Sequence, residues 1–161
     1  MAKHQYTASQ LRNAASISKT SYDQWRARGF VKSEYKAEGS GDRQLYSFGE
    51  VFAAAVMARL VSLGISIGTA AKTVDPYPAD FQLGGIKPTN LHGFKDSRAY
   101  LLVRAYPDLE HDGAGDTIEH TGTVSEILRE QDLIANVAKY EGAAILSLDK
   151  IEDRVKKALQ A

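Results

Sequence analysis

Cysteine is absent from the 161-residue chain. That removes disulfides, thiolate metal sites and cysteine nucleophiles together, leaving any metal chemistry to His and carboxylates. No run of about 18 apolar residues occurs, so no membrane-spanning helix is expected. The opening MAKHQYTASQ lacks an apolar signal-peptide core and shows no transit-peptide pattern, so a cytoplasmic location is expected. A glycine-rich phosphate loop is missing too, because LGGIKPT lacks the required spacing, and no nucleophile elbow is present. The acidic run DLEHDGAGD reads as a solvated turn rather than a catalytic carboxylate pair. No enzymatic activity is expected. Proline is scarce, and three of the four prolines fall between residues 75 and 97.

The remaining composition, 43% hydrophobic and 25% charged, is that of a folded globular protein rather than a disordered one. The length suits one medium domain or two small ones. A net charge of zero hides a split. Residues 1–74 hold ten Lys or Arg against five Asp or Glu, a net +5, and the remainder carries −5. A basic half on a neutral chain suggests an anionic partner met at one end.

Local signals divide the first 74 residues into short helices and a hairpin. In YTASQLRNAA, Thr7 reads as an N-cap with Gln10 completing a capping box. ASIS then forms a tight turn with Ile17 as its buried plug, and Ser18 caps a second helix running to Arg28 before Gly29. Two helices so joined make a helix-turn-helix unit. The segments VKSEYK and RQLYS flank EGSG, a hairpin with a polar tip. Ser47 caps the apolar helix FGEVFAAAVMARLVSLG, which ends at Gly64, and Ser66 caps IGTAAKTV.

On the second helix, Tyr22 and Trp25 point one way, while Lys19, Thr20, Asp23, Gln24 and Ala27 point the other. An aromatic stripe would hold such a helix on its neighbours and leave a small, hydrogen-bonding face outside.

The order of these elements, two-helix unit, hairpin, long apolar helix and then LVSLGISIGTAAKTV, resembles a MerR-type DNA-binding domain over roughly residues 6–74. SISKTSYDQWRARGFV resembles the family's recognition helix with the Gly-hydrophobic pair that leads into the wing. GDRQLYSFGEV resembles the wing exit, with Arg43 and Tyr46 at the matching positions. The resemblance implies a winged helix-turn-helix that inserts residues 18–28 into a major groove. It places Ser18, Lys19, Thr20, Asp23 and Gln24 near base edges and phosphates, and Lys36, Arg43 and Tyr46 on backbone phosphate from the wing.

The chain departs from the family in three respects. Asp23 stands where an Arg is usual, Arg26 where a Glu is usual, and Arg43 and Tyr46 are one residue further apart than in the commonest pattern. Base preference therefore does not transfer. Asp23 either accepts from cytosine N4 or serves the positive end of the helix dipole.

Residues 75–97, rich in Pro and Gly, read as a connector that packs somewhere through Phe81, Leu83, Ile86, Leu91 and Phe94. Beyond it, RAYLLVRAY and TIEHTGTV read as strands, SEILREQDLIANVAKYEG as a helix with Ile127, Leu128, Leu133, Ile134 and Val137 inward, AAILSL as a third strand, and KIEDRVKKALQ as a last helix capped by Asp149. The stripe Leu148, Ile151, Val155, Ala158 and Leu159 reads as core rather than partner interface. His111 with Asp112 and Glu119 with His120 lack the spacing of a metal site and read as solvated loop histidines, so no metal or cofactor is expected.

The expected fold class is α+β: a winged helix-turn-helix domain (1–74), mostly helical with a β-hairpin wing, the connector (75–97), and a small α/β domain (98–161) for dimerisation or effector sensing. No later helix is long enough for the coiled coil by which many MerR members pair, so a dimer would need another surface. The expected function is sequence-specific transcriptional regulation by a homodimer on double-stranded DNA, with a small-molecule effector of unspecified identity. Two other roles fit the same residues. One is a phage-type DNA-binding protein resembling excisionases or terminase small subunits. The other is a protein–protein adaptor whose basic face meets an acidic partner.

Overall fold

Hydroxyl side chains open the first four helices, and a left-handed residue closes three of them. The computed structural model describes residues 5–33, 35–36, 44–74, 99–105, 123–138 and 143–160. Helix α1 spans Ala8–Ala15. Thr7 Oγ1 accepts from the Gln10 N–H at 3.3 Å, and Gln10 Oε1 accepts from the Thr7 N–H at 2.9 Å. Helix α2 spans Lys19–Ala27 and starts where Ser18 Oγ accepts from the Ser21 N–H at 3.0 Å. Ser47 and Glu50 form a second reciprocal box at the head of α3, Phe48–Ser62. Ser66 Oγ takes the Thr69 N–H at 3.2 Å to start α4, Ile67–Val74. These oxygens satisfy N–H groups that have no partner inside the helix.

The C-terminal ends of α1, α2 and α3 share one design. Ser16, Gly29 and Gly64 have φ of 57°, 74° and 90°. Each of these donates its N–H three residues back, and the next residue donates five back. The pairs are Ser16 to Asn13 with Ile17 to Arg12, Gly29 to Arg26 with Phe30 to Trp25, and Gly64 to Val61 with Ile65 to Leu60. This double bond pattern is the Schellman closure, which absorbs carbonyls left over at the helix end. Because α1 closes at Ser16 and α2 is capped by Ser18, Ile17 alone separates them and packs partly buried against the core.

Two three-stranded antiparallel sheets complete an α+β architecture with six helices among the described residues. The first consists of β1 (Tyr6–Thr7), β2 (Tyr35–Lys36) and β3 (Gln44–Tyr46), in the order β1-β3-β2. Tyr6 lies opposite Tyr46, and Tyr35 and Lys36 lie opposite Leu45 and Gln44. The expected hairpin pairing is thus present at its base; its tip, 37–43, lies outside the described residues. The strand β1 has no sequence signature of its own, being two residues directly ahead of a cap.

The second sheet is ordered β5-β4-β6, with β4 (Ala99–Ala105) between β5 (Thr123–Arg129) and β6 (Ala144–Ser147). Ala99 faces Arg129 and Ala105 faces Thr123, so β4 and β5 pair over their full length. Leu101, Leu102 and Val103 are all buried, a continuous apolar run enclosed on both faces.

Helix α3 is the centre of the molecule. Val51 through Met57 and Leu60 are buried almost all round it, as expected of a helix apolar on every side. Helices α1, α4 and α6 (Leu148–Gln160) pack on it. The α6 stripe Leu148, Ile151 and Val155 is buried, with Ala158 and Leu159 partly buried against it. Burying each large apolar side chain contributes about 1.5–3 kcal/mol, so this stripe ties the C-terminal helix firmly to α1 and α3. One core cluster runs from Leu11 through Leu60 to Leu101 and Val155.

Three expectations are corrected here. Ser125–Arg129 belong to β5, not to a helix, and the helix α5 that follows is short, Glu130–Val137. Ile134 does not face inward but is 81% exposed. The last helix begins at Leu148, one residue before Asp149. The physical reason for the first is a seven-residue ladder with β4, whose interstrand hydrogen bonds outweigh a helical spacing of apolar residues. Residues 117–122 of the expected second strand lie outside the described residues, as do the connector 75–97 and His111, Asp112, Glu119 and His120.

Candidate nucleic-acid interface

The exposed face of α2 follows from how its other face is held. Tyr22 and Trp25 are buried, three residues apart on one side of the helix. Lys19, Thr20, Asp23 and Gln24 are exposed and lie together on the opposite side, with exposed Ala27 adding no bulk between them. The surface so formed offers an ammonium, a hydroxyl, a carboxylate and a carboxamide within two turns.

Ser18 is exposed, yet its hydroxyl works within the helix. Its oxygen accepts the Ser21 N–H, and its proton goes to Ser21 Oγ at 2.9 Å. Ser18 therefore fixes where α2 begins and how its first turn points.

The far end of α2 is fixed by the Schellman closure at Gly29, where the Trp25 carbonyl accepts from both Phe30 and Val31. Val31 is buried. Two residues on, Ser33 Oγ donates to the Leu45 carbonyl at 2.6 Å and ties the exit from α2 to β3.

Tyr46 overturns its expected role. It is 0% exposed and so cannot reach a phosphate. Its phenol instead joins the hairpin to α2. The Tyr22 and Tyr46 oxygens are 2.6 Å apart, and Tyr46 donates to Gln44 Oε1 at 3.0 Å, which leaves Tyr22 as the donor to Tyr46. The two rings meet edge to face, 6.4 Å between centroids and 82° between planes. Such pairs add about 0.5–1.5 kcal/mol beyond area burial. Burial pushes ionisation of Tyr46 well above the usual tyrosine range, with Glu50 adding to the rise and Arg26 opposing it.

Sequence reasoning missed this link because the two tyrosines are 24 residues apart. The only signal was that Tyr22 shares a helix face with Trp25. Lys36 pairs through its backbone with Gln44; its side chain and the whole of Arg43 lie outside what the structure describes. Among the described residues, no three His, Asp or Glu side chains gather as metal ligands, and no helix is long and apolar enough to cross a membrane.

No protein-family model matches the sequence, and no curated protein matches it either.

Proposed function

We propose that residues 6–74 are a winged helix-turn-helix unit of the MerR type, acting in a sequence-specific transcriptional regulator on double-stranded DNA. The observation that carries this proposal is the pairing of an outward polar face on α2 with a phenol bridge that locks α2 to the hairpin. Groove recognition needs a helix presented at a fixed angle to its wing, and Tyr22, Tyr46 and Gln44 supply such a lock. The short α1–α2 connection and the +5 charge of residues 1–74 support the same proposal.

In this mechanism α2 enters the major groove. Gln24 suits the N6 and N7 atoms of adenine, Asp23 accepts from cytosine N4, and Thr20 serves either base edge. Lys19 neutralises a phosphate, and Lys36 and Arg43 do the same from the wing. Ser18 and Tyr46 position α2 rather than touch DNA. One such unit buries too little surface for tight specific binding, so a homodimer reads two half-sites. Residues 98–161 would supply the pairing or effector-sensing surface.

Selection from a pool of random duplex DNA, followed by sequencing, tests the proposal. Two enriched half-sites separated by about one helical turn, or a multiple of it, are expected. Retention without sequence enrichment would favour an architectural or packaging role of the excisionase or terminase kind. No retained DNA would leave the scaffold to protein contacts.

A further inference from the structure

A cleft of about 460 Å³ opens between the turn after α2, α3 and α4. Small-molecule sites typically fall between about 300 and 1,000 Å³. Its origin is in the sequence. Ala53 and Ala54 of α3 line the cleft together with Gly68 and Ala71 of α4, and small side chains on both helices leave unfilled the space that interiors ordinarily close-pack. Met57 adds a polarisable, adaptable wall. At Gly68 a Cβ would meet nothing within 4 Å, so the space beside it is open.

The rim is charged with one dominant sign. Arg28, Lys32 and Lys72 border the cleft, and all three are exposed. Among the described residues the one acid on it, Glu50, is partly buried and accepts the Ser47 N–H at 2.6 Å in the α3 capping box. An apolar floor under cationic groups fits a molecule with an apolar body and an anionic head. A guanidinium grips a carboxylate or sulfonate by two parallel hydrogen bonds, and Lys72 of α4 lines the same cleft.

We propose that this cleft binds a small amphipathic anion, an aromatic or short-chain aliphatic carboxylate or sulfonate, with its head between Arg28 and Lys72 and its body over Ala53, Ala54 and Ala71. The site is distinct from the α2 face that carries Lys19, Thr20, Asp23 and Gln24. It goes beyond the DNA-binding proposal, and its test needs no DNA.

The test is a fluorescence titration of the full chain with anilinonaphthalene sulfonate at neutral pH, with octanoate and octylammonium as competitors. Saturable binding of about one probe per chain is expected, displaced by octanoate and not by octylammonium. Arg28→Glu with Lys72→Glu should weaken it by about tenfold or more through charge reversal. Gly68→Phe should weaken it sterically, and circular dichroism melts of both variants should show an intact fold. Absence of saturable binding, equal displacement by octylammonium, or indifference to both variants would overturn the proposal and leave the cleft to a segment of the chain itself or to a protein partner.

Discussion

The phenol oxygens of Tyr22 and Tyr46, both buried side chains, lie 2.6 Å apart. The first residue belongs to α2 and the second to β3, so this hydrogen bond joins the helix to the hairpin. Its strength comes from its surroundings, since a buried hydroxyl without a partner is expensive.

Tyr46→Phe should lower stability by about 1–2 kcal/mol, because it leaves the Tyr22 hydroxyl without its buried acceptor. Tyr22→Phe should cost less, since Tyr46 keeps Gln44 as an acceptor. Urea denaturation of both variants checks the order. Equal, negligible losses would show that the bridge does not hold α2.

The same residue makes stability depend on alkaline pH. Tyr46 ionises above the ordinary tyrosine value because of burial. The unfolded chain gives up this proton near pH 10, whereas the folded chain retains it beyond that. Its contribution is therefore complete below about pH 10 and declines as pH rises further. Unfolding midpoints measured between about pH 9.5 and 11 should fall less in Tyr46→Phe than in the wild type. Parallel falls would contradict the assignment.

Ser16 occupies a left-handed position, φ 57° and ψ 43°, at the end of α1. For a residue with a Cβ this conformation costs about 1–2 kcal/mol, and glycine fills the equivalent place after α2 and α3. Ser16→Gly should raise stability by about 0.5–1 kcal/mol, net of the greater entropy that glycine loses. Ser16→Val should lower it. A thermal melt in which Ser16→Gly is the less stable of the two would refute the strain at this turn.

The C-terminal helix shares its core with the first half of the chain. Leu148→Ala removes a fully buried side chain and should cost about 3 kcal/mol. Trp25, the only tryptophan, sits on α2, far along the chain from that change. Its fluorescence and far-ultraviolet dichroism should report one coincident, lowered transition. A Trp25 transition unaffected by Leu148→Ala would mean that the two halves unfold separately.

How much of this was legible in the sequence depended on range. Thr7, Ser18, Ser47 and Ser66 can be read as caps because the oxygen and the N–H it serves are three residues apart. Gly29 and Gly64 are equally local. Ser16 was not legible as a left-handed residue, since serine carries no conformational signature of that kind. The strand β5 was obscured because Ile127 stands seven residues before Ile134, a helical spacing, while its partner Ala99–Ala105 lies far back in the chain. Of the site, the outward residues of α2 follow from the placement of Tyr22 and Trp25. The burial of Tyr46 does not, being the work of a residue on another element.

The most direct test of the account is the salt dependence of duplex DNA binding by the wild type and Lys19→Ala, followed by fluorescence anisotropy. If α2 and the hairpin meet phosphates, log affinity falls linearly with log salt concentration, and loss of Lys19 makes the slope shallower by about 0.9. Absence of binding at low salt, or an identical slope in the two proteins, would contradict groove insertion by α2.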